Sequence, residues 1–372
     1  MTARANSNDY RQLFLDDVPL LDVRAPIEFL QGAFPSSTNI ALLDDEQRKL
    51  IGTQYKHQGQ DAAIALGWQI ATKDIQQHRI DSWREFVSRF PGGYLYCFRG
   101  GLRSKLSQQL LSKSGIEFPI VEGGYKAMRR FLINNLETIS KAQPYILVGG
   151  QTGSGKTDFL TSLSQHLDLE GAAKHRGSAF GAMTESQPSQ IDFENTISIS
   201  LLKMSQSSDA NIFLEDEGKL IGRINLPLSL RQAMQYSPRI ILTAPLGERI
   251  SRIVNDYVIF NYAQLLERHK PELAQSLFRV FVVSNLKRIQ KRLGGVTHQK
   301  IESSFQYALN EFYRTGHADF FRPGVQMLLT DYYDPMYQYQ QSQRDDKILF
   351  SGDRQELSEW AKYRTNANLS ST

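Results

Sequence analysis

Two kinds of apolar pattern alternate along this chain. Compact apolar runs at Val18–Arg24, Tyr94–Tyr96, Tyr145–Val148, Asn211–Leu214 and Pro238–Ala244 read as buried strands. Between them lie longer stretches in which apolar and polar residues interleave at helical spacing. Residues 44–90 form one such stretch, with a helix expected over Asp61–Ala71 and broken at Gly67. Ser104–Leu111, the segment from Glu122 to Ser140 and residues 255–320 form the others. Strands alternating with helices predict an α/β fold with parallel sheets. The polar link Lys141–Pro144 predicts a division into a domain at 9–140 and a second at 144–365, the latter carrying a helical part at about 255–320. Residues 1–8 are expected to be a frayed tail, and the last eight residues disordered.

Composition narrows this only slightly. The chain has 372 residues, 41% apolar and 22% charged, an ordinary globular balance. Its first residues lack the apolar core of a signal peptide, and no run of about 18 apolar residues suggests a membrane span. A single cysteine excludes an internal disulfide, which makes the cytoplasm the default compartment. The net charge of +4 is spread evenly, so any nucleic-acid contact must come from a local cluster.

The strand at Tyr145–Val148 runs into Gly150–Thr157, which fits G-x-x-x-x-G-K-[ST], and apolar residues at helical spacing (Phe159, Leu160, Leu163, Leu167) follow. Gly150, Gly153, Ser154 and Gly155 can turn backbone N–H groups onto an anion. Lys156 can reach a terminal phosphate, and the Thr157 hydroxyl can hold Mg²⁺. A simple glycine-rich turn would not need both flanking elements. The stretch Asp168–Gly181 is polar, basic and too long for a turn. Its His175 and Arg176 are candidates for phosphate contact, against the alternative of exposed loop charge. The strand at 211–214 ends in Glu215, Asp216 and Glu217. Asp216 and Glu215 are candidate Mg²⁺ ligands, although strands also end in acids for solubility. Arg249 and Arg252 sit three apart, weakly resembling the lid of small nucleotide kinases. No Asn-Lys-x-Asp pattern occurs, so guanine recognition has no support.

Cys97 follows the strand Tyr94–Tyr96 and precedes a helix, in a loop that can aim up to six backbone N–H groups at one point. Arg99 and Arg103 and the helix start favour thiolate over thiol there. Cys97, Arg99, Gly100, Gly101, Arg103 and Ser104 form the candidate catalytic set, whereas a lone cysteine is otherwise a small buried hydrophobe. Further on, Lys287, Arg288, Lys291 and Arg292 fall along one side of a helix, fit for an RNA backbone or for plain solvation. The aromatic run Asp331–Tyr339 can stack an unpaired base or pack a domain edge.

Leu21-Asp-Val-Arg-x-x-x-Glu-Phe29, the Cys97 loop and Val121-Glu-Gly-Gly-Tyr125 resemble rhodanese-like domains in order and spacing. The usual sulfurtransferase loop is Cys-x4-Arg. Cys97 to Arg103 is Cys-x5-Arg, the spacing of cysteine-dependent phosphatases, and a wider ring suits a tetrahedral anion. With the phosphate loop and Tyr332-Tyr-Asp-Pro-Met-Tyr337, the chain from Asp22 to about Trp360 resembles the bacterial tRNA 2-selenouridine synthases. That resemblance implies a rhodanese-like domain joined to a P-loop NTPase-like domain with a helical extension. It implies replacement of sulfur by selenium in the wobble 2-thiouridine of a tRNA anticodon. Selenophosphate would be the donor, an S-geranyl intermediate would come from geranyl diphosphate, and a selenophosphate-producing enzyme is an implied partner. Cys97 would either take selenium as a perselenide or orient the donor. Two rival readings stand beside it. One is a phosphatase or sulfurtransferase domain fused to an ATP-dependent small-molecule kinase. The other is a non-catalytic tRNA-binding or regulatory NTPase module.

Overall fold

The computed structural model describes residues 4–178, 180–181, 186–207, 211–344 and 347–369, with side chains through residue 363. The chain forms two compact units. One comprises the chain up to Ile139 together with Ser189–Lys203; the other comprises Ser140–Pro188 and the chain from Met204 onward.

In the first unit, β1 (Leu20–Asp22) lies between β2 (Ser37–Asn39) and β3 (Tyr94–Tyr96), all parallel, with Leu21 opposite Thr38 and Leu95. Both faces of a parallel sheet are covered, which is why β1 is buried along its whole length. Leu21, Val23, Trp83, Phe86, Leu95, Leu111 and Ile120 build the core, and Trp83 satisfies its buried indole by donating to the Ile40 carbonyl at 2.9 Å. The long helix Asp45–Ile70 breaks at Gly59, not at Gly67 as expected. Gly59 has φ 85°, open mainly to glycine, whereas Gly67 stays helical and its carbonyl accepts the Ala71 N–H. Residues 4–8 are likewise not frayed. Arg4 donates to the carbonyls of Pro91, Gly92 and Gly93, and Ser7 pairs with Val121.

The helix Gln190–Met204 belongs to this first unit, although the sequence suggested an unbroken second domain. The Ala33 N–H donates to Asp192 at 2.7 Å, Asn195 donates to the Ala33 carbonyl at 2.6 Å, and Ser198 to the Leu132 carbonyl at 2.7 Å. Phe193, Ile197 and Leu201 are fully buried.

The second unit is built on a five-stranded parallel sheet. Its strands are β4 (Tyr145–Gly149), β5 (His166–Leu167), β6 (Ile212–Glu215), β9 (Arg239–Leu242) and β10 (Ile348–Gly352), in the order β10-β9-β4-β6-β5. A two-stranded antiparallel ribbon, β7 (Leu220–Ile221) and β8 (Ile224–Asn225), follows β6. The helix after the phosphate loop spans only Lys156–Leu160. Leu167, expected on that helix, lies instead on β5 against Leu214, since an apolar residue serves either element equally well. The helical extension starts earlier than expected, at Leu246, and runs to Ser342 before the chain returns to the sheet as β10. Phe278, Phe305, Phe312, Phe321, Leu309 and Leu329 form its core. The last helix, Arg354–Leu369, covers part of the segment expected to be disordered; residues 370–372 lie outside the described residues. No helix among the described residues is long and apolar enough to cross a membrane.

Candidate active site

The first candidate site is the turn from β3 into the helix Leu102–Lys113. Gly100 takes φ 61°, and a Cβ there would lie 2.7 Å from the Gly123 nitrogen; one on Gly124 would lie 2.3 Å from the Cys97 carbonyl oxygen. Two backbones thus pack directly on one another, and the Tyr125 and Lys126 N–H groups donate to the Cys97 and Phe98 carbonyls, both at 2.9 Å. Cys97 itself is 3% exposed and packs with Leu95, Leu110 and Ile120. The expected open thiol is therefore covered. Arg99 is exposed beside the Phe98 ring. Arg103 instead makes two hydrogen bonds to Glu28, at 2.6 and 3.2 Å. Burial pushes the Glu28 carboxyl up, but Arg103, the Ala25 N–H and Arg48 outweigh it and leave it below its ordinary value. Gly101 caps the helix without a side-chain bond, and Ser104 is fully buried with its hydroxyl unpartnered.

The second candidate site is a cavity of about 900 Å³ at the end of β4. Gly153 (φ 80°) and Gly155 (φ 91°) bend the loop as the motif requires. Lys156 donates to the Gly150 carbonyl at 2.9 Å, and Ser154 is buried with an unpartnered hydroxyl. Thr157 donates to Glu170 at 3.2 Å, and the other Glu170 oxygen accepts the Gly177 N–H at 2.6 Å. Glu217 converges on the same spot. Burial first, then the Glu170 charge and a hydrogen bond with it, push its carboxyl up to about 8. Arg176 pairs with Asp256 at 3.2 Å over the Tyr257 ring, and Arg252 donates to the Gly153 carbonyl at 2.7 Å. Lys156, Arg176 and Arg252 therefore face the cavity with Glu170 and Glu217 below them.

Neither expected metal ligand next to Thr157 stands as the sequence suggested. Glu215 is fully buried outside the cavity lining, where it accepts the Leu169 N–H at 2.9 Å, and burial pushes its carboxyl well up. Asp216 lines the cavity, but Arg344 holds it at 2.6 Å and Arg239 at 3.4 Å. The carboxylates that approach Thr157 are Glu170 and Glu217, which the sequence did not single out as ligands. Among the described residues no three His, Cys, Asp or Glu side chains form a ready metal cage. Thr157 with one or two carboxylates does fit Mg²⁺, which completes its shell with water and phosphate oxygens. His175 lies outside the cavity lining, packed close to Gly181 and Gly222 with Nδ1 unpartnered; burial lowers its pKa. Arg249 is equally structural. It bridges the Thr152 carbonyl, Gln151 and both oxygens of Asp334, and so ties the phosphate loop to the helix Asp334–Ser342. Lys287, Arg288, Lys291 and Arg292 are exposed, and the Arg288 charge reaches His175. Of the aromatic run, Tyr332 and Tyr333 pack in the core, while Tyr337 and Tyr339 line the cavity mouth.

Residues 143–368 match the family model described as the tRNA 2-selenouridine synthase AAA domain. The chain is also similar along almost its whole length to proteins named tRNA 2-selenouridine synthase. The one from Marinobacter nauticus is 46% identical over 98% of this chain and 100% of its own length. Those from Shewanella sediminis (46%, 94% and 95%) and Pseudomonas putida strain F1 (45%, 97% and 98%) are alike. The chain belongs to the tRNA 2-selenouridine synthase family. The shared length spans both candidate sites.

Proposed function

We propose that this enzyme replaces the sulfur of a wobble 2-thiouridine in tRNA by selenium, through an S-geranyl intermediate, in the cytoplasm. The observation that carries the reading is the presence of two separate strand-to-helix loops bent by glycine, one holding the chain's only thiol and the other followed by a P-loop lysine. The first unit acts as a rhodanese-like domain and the second as a P-loop domain whose helical extension meets tRNA.

At the phosphate loop the thiocarbonyl sulfur attacks C1 of geranyl diphosphate. The carbon–sulfur bond forms as the carbon–oxygen bond breaks, and the electron pair leaves with the diphosphate. Lys156, Arg176 and Arg252 neutralise that growing charge. Thr157, Glu170 and Glu217 would hold Mg²⁺, which supplies further charge neutralisation when bound. Alkylation turns a poor leaving group into a thiol. At the Cys97 loop, selenium from selenophosphate then adds to C2 of the uridine. Geranyl thiol departs, and water breaks the selenium–phosphorus bond to release phosphate. Arg99, the loop amides and Ser104 hold the tetrahedral anion, and Cys97 is the one soft group able to take or steer selenium. Lys287, Arg288, Lys291 and Arg292 meet the tRNA backbone.

The test is mass analysis of tRNA nucleosides after incubation with geranyl diphosphate and selenophosphate, separately and together. Geranylated thiouridine with the first and selenouridine with both is the expected result. ATP-dependent phosphorylation of a small molecule with no nucleoside change would instead favour the kinase fusion.

A further inference from the structure

On one side the phosphate cradle runs into a crevice of opposite character. Phe180, Val258, Phe281, Val282, Phe305 and Leu328 line it, and its exposed surface is almost wholly apolar. The two spaces adjoin: Thr152 of the phosphate loop, Ser178, Ile253, Tyr257 and Tyr333 border both. Charge is sorted sharply across this boundary. Lys156, Arg176 and Arg252 lie on the cradle side, and among the described residues no carboxylate or cation lines the crevice. At the junction the Tyr257 hydroxyl lies 3.1 Å from that of Ser178, and burial pushes this phenol up to about 12, so it stays neutral.

Two further features fall at the same place. The described residues contain two π-helical turns, Val254–Ile259 and Leu329–Tyr333. Both supply walls to this crevice, through Tyr257 and Val258 on one side and Leu329 and Tyr333 on the other. Such turns recur at functional sites because the extra residue displaces side chains from the regular ladder.

We infer that the crevice takes the hydrocarbon chain of a prenyl diphosphate whose diphosphate lies in the phosphate cradle, with C1 at the junction beside Ser178, Tyr257 and Tyr333. This rests on the geranyl diphosphate reading above and adds where the chain binds and what sets its length. A nucleotide base needs hydrogen-bonding partners around its edge, and past the junction hydroxyls the described side chains of the crevice offer none. An aliphatic chain needs only to leave water. The free space is about 40 Å³, less than the ~150 Å³ that admits a benzene ring, so the chain enters by parting the walls. Residues 281 and 282 stand along the crevice and control its width and depth.

Equilibrium binding of geranyl diphosphate, farnesyl diphosphate and inorganic pyrophosphate to the full-length protein tests this. The wild type should bind geranyl diphosphate at least about tenfold more tightly than pyrophosphate, since several methylene groups leave water. Val282→Phe should remove that advantage while pyrophosphate affinity stays unchanged, and the retained affinity shows that the cradle is folded. Phe281→Ala should shift the farnesyl-to-geranyl preference about tenfold toward the longer chain. If Val282→Phe keeps the advantage and Phe281→Ala leaves the ratio unchanged, the crevice is not the chain site, although the cradle still binds the diphosphate. Should Val282→Phe lose pyrophosphate as well, the Phe281→Ala ratio alone decides. If the wild type shows no advantage over pyrophosphate, or prefers ATP, the geranyl reading falls together with the crevice.

Discussion

Cys97 and Lys156 each stand in a strand-to-helix loop bent by glycine, yet their surroundings differ. Cys97 is 3% exposed inside a hydrophobic core, while Lys156 borders a cavity of about 900 Å³. The electrostatics differ as well. At the thiol loop the nearby cation, Arg103, is already matched by Glu28. At the phosphate loop burial first, and then the neighbouring Glu170, push the Glu217 carboxyl up, and the Lys156 charge only partly offsets them. The first loop is therefore closed over its sulfur and satisfied from within the chain. The second opens onto a cavity whose cations, Lys156, Arg176 and Arg252, face the space an anion would fill. A glycine-rich turn sets the path of the backbone; its neighbours decide whether the site is ready.

The largest test of this contrast is Cys97→Ala. Selenouridine should vanish while geranylated thiouridine still accumulates, read by nucleoside mass analysis; selenouridine at the wild-type rate would remove the thiol from the chemistry. Next comes Lys156→Ala, which should cost about 3 kcal/mol of transition-state stabilisation and slow geranylation at least 100-fold. Changing Lys287, Arg288, Lys291 and Arg292 to Glu should weaken tRNA binding and flatten its dependence on salt. Equal slopes in the titrations would return that helix side to solvent. The smallest effect is on pH. Glu28, held below its ordinary value, contributes stability that is present above about pH 4.5 and lost as pH falls through its folded value. Glu217 does the reverse, contributing fully below about pH 4.5 and losing that contribution as pH rises to about 8. Thermal unfolding of Glu28→Gln and Glu217→Gln against wild type from pH 4 to 9 should show shifts of a few degrees with opposite pH trends. Parallel trends would mean that the two carboxyls share one kind of environment.

What the sequence makes legible here is local. Tyr94–Tyr96 and Tyr145–Gly149 are the strands expected, and the glycine loops follow them, because each signal lies within a dozen residues. What it hides depends on distant partners. Glu170 reaches Thr157 only after the chain has turned through β5, and Asp216 is claimed by Arg344, 128 positions away. Arg249 reads as a lid residue until Asp334 is placed beside it. The turn at Glu122–Tyr125 packs on the Cys97 loop through Gly100 and Gly124, contacts that lie too far apart in sequence to be read from it.

The placement of the helix Gln190–Met204 bears on how the protein is made. On the ribosome the first unit has emitted its last contiguous residue at Ile139, yet Asn195 and Ser198, whose side chains donate to its Ala33 and Leu132 carbonyls, arrive only with the segment that ends at Lys203, 64 residues later. At about 5–20 residues per second, the nascent first unit waits on the order of 3–13 s without them. Meanwhile the phosphate loop and its first strand have already emerged. Synthesis order and folding order therefore diverge in this chain, and a gene cut at residue 140 would leave its first fragment without the two side chains that meet those carbonyls.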